Sequence, residues 1–187
     1  MHCCKKISFF CVLVFASLLA FAEQSTIIIR NADLKADGEV YKLNADLEFA
    51  LSENIKEAIN KGVLVAFVYE FKLVSPRLLW FDKEIVTKTT SIEVSYHALS
   101  RQYLVSQGGR QTSYEILSEA MIELVQLYDW KVFDQPVIES GEEYVATLNV
   151  KLDQSKLPKA IQVEAIGSED WNLGAEDFEW LPKDLKQ

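Results

Sequence analysis

Past residue 22 the chain contains no cysteine and a single histidine, His97. Its three cysteines, Cys3, Cys4 and Cys11, and its other histidine, His2, all fall within the first eleven residues. A body without thiols excludes a disulfide scaffold, a thiol nucleophile and a cysteine-based metal site. Any serine–histidine triad would have to run through His97 alone. Glycine and proline are also scarce, seven and four respectively, and no low-complexity tract, internal repeat or linker divides the chain. Basic charge is in deficit: 19 Lys and Arg stand against 28 Asp and Glu, a net charge of −9. Nucleic acid and anionic membrane each call for a basic face, so neither is an expected partner.

The N-terminus accounts for the missing thiols. Lys5 and Lys6 precede an uncharged run, Ile7 to Ala22, that ends in Ala20-Phe21-Ala22 before Glu23-Gln24. Charged start, apolar middle and small residues at the two positions a peptidase reads are the layout of a secretory signal peptide. Cleavage is therefore expected after Ala22, giving a leader of residues 1–22 and one domain of residues 23–187. The apolar run is 16 residues, short of the about 20 that a spanning helix needs, which favours a cleaved leader over a retained anchor. No later stretch is long and apolar enough to span. The expected location is the periplasm, and clipping removes Lys5 and Lys6, leaving 17 basic against 28 acidic side chains, a net of −11.

The remaining chain, roughly 165 residues, is long enough to bury a core without staples. Hydrophobic periodicity assigns most of it to strands. Thr26 to Ile29 and the alternating Tyr41 to Leu51 flank Asp37-Gly38, a hairpin signal. Ser52 caps a short helix carrying Ile55, Ala58 and Ile59 on one face, with Gly62 as its stop. Val63 to Val74, apolar on both faces apart from Glu70 and Lys72, reads as a central strand. Thr87 to Tyr96 and Arg101 to Ser106 are further strands, the latter running into a Gly108-Gly109 turn. Thr112 and Glu115 fit a capping box, predicting a second helix of about four turns that ends near Tyr128. Tyr144 to Leu152 is a clean alternation, and Ala160 to Ala165 reads as a last strand. The expected fold class is α+β, mostly antiparallel β and sandwich-like, with two helices.

Tyr128-Asp129-Trp130 after a helix, an alternating strand, "LDQSKLPKAIQVEA" and the terminal "DWNLGAEDFEW" resemble the bacterial DUF4390 family of exported proteins. The family is similar in its signal sequence, strand-rich body, Leu-Pro before the last strand, and a C-terminal motif of the form W-x-L-x-S-x-x-x-W. Trp171, Leu173, Ala175 and Trp180 stand nearest that motif, with Ala175 in place of serine and one extra residue in the spacing. The resemblance implies export and fold; it carries no activity, ligand or catalytic residue.

No catalytic constellation emerges from the residues themselves. His97 lies on the polar face of a strand beside Glu93 and reads as a solvated side chain. There is no G-x-S-x-G, no H-E-x-x-H and no phosphate loop, and SEDWNLGAED lacks the alternating ligand spacing of a calcium loop. No catalytic residue, metal site or cofactor is expected. The candidate contact residues are apolar: Leu79, Trp80 and Phe81 in the cluster that follows Pro76, and Trp171 and Trp180 near the C-terminus. Such clusters are more often buried than exposed. Trp171, Phe178 and Trp180 are expected to fasten the C-terminus over an open edge or end of the sheet. The function these readings favour is a non-catalytic binding, assembly or sensory-accessory factor meeting another periplasmic or envelope protein. The alternative is a small-ligand binder, or a hydrolase with an acidic-residue site.

Overall fold

The computed structural model describes residues 25–183 and 185, except 78, 80 and 140. The expected leader, Leu78 and Trp80 therefore lie outside the described residues. β1 (Thr26–Asp37) and β2 (Val40–Ala50) form the hairpin that Asp37-Gly38 predicts, with Gly38 at φ +64°. β1 runs well beyond Ile29. An irregularity between Ile29 and Asn31 shifts the inward set from Ile27 and Ile29 to Ala32 and Leu34, and that phase change conceals the continuation in the sequence.

Ser52 Oγ accepts the Ile55 N–H at 3.5 Å and opens α1 (Glu53–Asn60), which buries Ile55, Ala58 and Ile59. The helix stops at Gly62, φ +85°, where a Cβ would approach Tyr96 O to 3.2 Å. β3 (Val65–Ser75) follows as the expected central strand, between β4 (Lys83–His97) and β8 (Val145–Leu152). Phe67, Tyr69, Phe71 and Leu73 are all fully buried along it. β5 (Gln102–Gln107) and β6 (Arg110–Tyr114) turn at Gly108-Gly109, both at positive φ. After them come α2 (Leu117–Val125), β7 (Gln126–Asp134), then β8, α3 (Lys159–Ala165) and β9 (Phe178–Trp180). The strands make two antiparallel sheets, ordered β1-β2-β7 and β6-β5-β4-β3-β8-β9. The fold is thus α+β, mostly antiparallel.

Two expectations about helices need correction, and the described residues hold three α-helices rather than two. Thr112 and Glu115 do not cap α2. Thr112 is paired with Val105 in the β5–β6 ladder, and the helix begins after Ile116 with no side-chain cap. The Gly-Gly turn fixes that hairpin, so the ladder takes the backbone groups a capping box would have served. The helix also ends at Val125 and passes straight into β7 without a loop; Leu127, at helical spacing in the sequence, is buried in the strand instead. Ala160 to Ala165 is not a strand but α3. Ile161 and Ala165, one turn apart, pack toward the core while Val163 is 69% exposed, whereas a strand would have put all three on one face. Pro158 precedes the helix, and Gln162 Nε2 donates to Leu157 O at 2.7 Å, tying it back to its own entry.

Aromatic rings join the sheets. Phe133 of β7 stacks on Tyr41 of β2 at 4.8 Å and on Phe71 of β3 at 6.1 Å, and Phe49 of β2 meets Phe67 of β3 edge-on at 5.1 Å. Tyr69 OH donates to Leu124 O at 2.7 Å, satisfying a carbonyl in the last turn of α2, and burial pushes its phenol pKa up. Tyr69→Phe is expected to cost about 1–3 kcal/mol, because it leaves that buried carbonyl unpaired. Denaturant unfolding measures it; a loss under about 0.5 kcal/mol would mean the carbonyl had found another partner.

Candidate functional site

The β3–β4 ladder closes at the Ser75–Lys83 pair, and the described residues of the connection, Pro76, Arg77, Leu79, Phe81 and Asp82, lie past that last pair. The connection is tied at its base: Arg77 N–H donates to Asp82 Oδ1 at 3.2 Å. Next to it, Lys83 Nζ lies 3.4 Å from Glu139 Oε1, on the connection that leads to β8. Leu79 is 96% exposed and Phe81 90% exposed. Leu79 and Phe81 thus depart from the burial that is commoner for such clusters, because they follow the last pair of the ladder. Trp80, between them in the chain, is outside the described residues. Leu181, 69% exposed, sits at the same end of the sheet, following the Trp180–Ala146 pair.

The two C-terminal tryptophans are placed differently. Trp171 is buried at the opposite end of the fold, its carbonyl accepting from Gln154 Nε2 at 2.9 Å, and Leu173 is buried beside it in sequence. Leu152 N–H then donates to Leu173 O at 2.9 Å and Ala175 N–H to Val150 O at 2.7 Å, laying the segment along β8. Asn149 Nδ2 donates to Asp177 Oδ1 at 2.7 Å, and β9 completes the pairing. Trp180 is half-buried, its ring 6.3 Å from Phe71 and 5.8 Å from Phe178. The segment from Leu173 to Trp180 therefore covers the edge of β8, with aromatic side chains turned into the core. Trp180 Nε1 is buried without a hydrogen-bond partner among the described residues. That unpaired donor costs about 1–3 kcal/mol, less than the apolar area the ring removes from water.

The remaining chemistry is on the surface. His97 is exposed, with Nδ1 3.0 Å from Ser100 Oγ. Tyr114 donates a short hydrogen bond to Glu123, which raises its phenol pKa. The ion pairs Arg30–Glu48 at 2.5 Å and Lys61–Glu57 at 2.8 Å join side chains more than half exposed and contribute little to stability. Among the described residues no three His, Cys, Asp or Glu side chains are grouped to hold a metal, and no helix is long and apolar enough to cross a membrane. Sequence reasoning found the loop through its composition but missed Leu181, a lone apolar residue with no periodic context.

The model of a family described as a domain of unknown function, DUF4390, matches residues 24–181. No curated protein and no solved structure matches the chain. The match takes in the two-sheet body, the projecting β3–β4 connection and the segment from Trp171 to Trp180 that lies along β8, and the chain belongs to the DUF4390 family.

Proposed function

We propose that this is an exported, non-catalytic protein with a sandwich-like body that binds another envelope protein through the apolar β3–β4 tip. The observation that carries this reading is the exposure of Leu79 and Phe81 on one tied connection. Single exposed apolar side chains are ordinary. Leu99, 93% exposed in its own turn, is such a case. Two large ones two residues apart, with Trp80 between them in sequence, make a compact apolar projection of the kind that marks a contact surface. Burying a Leu or Phe side chain is worth about 1.5–3 kcal/mol, so the two described residues supply on the order of 3–6 kcal/mol before the costs of association. Export rests on the layout of residues 1–22, and an acidic body favours a partner with a basic rim around its apolar pocket.

A photo-crosslinking residue at position 81 tests the reading in cells, with the same residue at position 99 as control. A discrete adduct is expected at 81 and not at 99, and Leu79→Ser should abolish it. Because both side chains are exposed, Leu79→Ser with Phe81→Ser is expected to change unfolding free energy by no more than about 0.5 kcal/mol. Equal labelling at both positions, or recovery of the protein with residues 1–22 intact in the cytosol, would defeat the proposal.

A further inference from the structure

We propose that the groove between β1 and the C-terminal segment is a second binding site, one that accepts an extended basic peptide strand from a partner protein. Among the described residues β1 is the end strand of its sheet and pairs only with β2. In an antiparallel edge strand, alternate residues turn their N–H and C=O groups outward, ready to pair with another strand. Edge strands are usually guarded by charge, proline or a bulge, and β1 is guarded in just this way from Arg30 to Asp37, with the Ile29/Asn31 irregularity and the charged Arg30, Asp33, Lys35 and Asp37. Thr26 to Ile29 has none of these guards. That unguarded stretch is the part that walls a groove of about 620 Å³, a volume within the range of ligand sites.

The opposite wall is the segment from Asn172 to Phe178, held to β8 by its own backbone hydrogen bonds. Among the described residues, no backbone hydrogen bond crosses from Thr26–Ile29 to that segment. Ile28, 41% exposed, and the half-buried Phe178 give the groove apolar surface for alternate side chains of an incoming strand. The unguarded edge is four residues long, Thr26 to Ile29, and offers pairing to a short extended chain. The charge of the lining selects the sign of the occupant: Glu169, Glu176 and Asp177 contribute to it, and among the described residues no Lys or Arg does. Backbone pairing gives such a site affinity, and the acidic rim gives it preference for Lys- or Arg-bearing sequences. The site is separate from the β3–β4 tip, which projects from the far end of the sheet, so each can fail without the other.

A fluorescein-labelled octapeptide of alternating Lys and Val, added to the full chain, tests the proposal by anisotropy. Saturable binding is expected, at least tenfold tighter than for the Glu–Val counterpart. Methylating alternate backbone nitrogens of the peptide should abolish binding, since it removes the ladder donors and keeps the charge. Glu176→Lys, an exposed change, should weaken binding about tenfold. Hydrogen exchange should slow at Thr26–Ile29 in the complex. No saturable binding, equal binding of the methylated peptide, equal binding of the Glu–Val peptide, or protection confined to residues outside the groove would each overturn it.

Discussion

A chain truncated after Ala165 is expected to lose its cooperative unfolding transition, or to melt more than about 10 °C below the full-length protein. The deleted piece carries the buried Trp171 and Leu173 and the inward-facing Phe178 and Trp180. It also carries the backbone groups that pair with β8 at Val150 and Leu152 and from Ala146 to Leu148. Truncating one buried Trp to Ala costs about 3–5 kcal/mol, against a net stability of about 5–15 kcal/mol for a domain. For a domain of this size each kcal/mol is worth about 2–4 °C, so Trp171→Ala alone should lower the midpoint by roughly 10 °C. The loss of the segment adds a newly exposed apolar edge, and β8 would then present an unpaired, alternating strand to solvent, a setting for aggregation. Calorimetry of both variants decides the matter: an unchanged midpoint on truncation would show that the segment is an appendage.

The second large effect is expected at Phe71. Its ring is fully buried and lies between Phe133 of the three-stranded sheet and Trp180 of the C-terminal segment. Phe71→Ala should cost about 3–5 kcal/mol through lost transfer energy and the cavity left behind. Because the ring touches both of its neighbours, its loss should not add simply to theirs. A double-mutant cycle with Phe133→Leu is expected to give a coupling of about 0.5–1.5 kcal/mol. A coupling near zero would mean that the sheets are held together elsewhere, for example at Phe49–Phe67.

Much of the strand framework was legible because period-two alternation and turn residues are local signals. Asp37-Gly38, Gly108-Gly109, the Ser52 cap and the two-faced apolar run of β3 all lie where the residues place them. What went astray depended on partners distant in sequence. The Thr112–Glu115 pair matches a helix start, yet a neighbouring strand claims Thr112. Ile161, Val163 and Ala165 satisfy two periods at once over a stretch too short to choose, and the β8 edge is taken by the later segment Leu173 to Trp180. Of the candidate contact residues, composition alone singled out Leu79 and Phe81; their exposure depends on where the β3–β4 ladder ends, which no local pattern encodes. The groove beside β1 needed both sheets in place before it existed.

The join between α2 and β7 has a mechanical corollary. Val125 ends the helix and Gln126 begins the strand, while Tyr69 clasps the helix one residue earlier at Leu124. There is no slack at that junction, so the helix cannot swing as an independent flap. Displacing it would drag β7 and unzip its ladder with β2. Motion of the helix is therefore coupled to rupture of the Tyr69–Leu124 hydrogen bond or of the β2–β7 ladder.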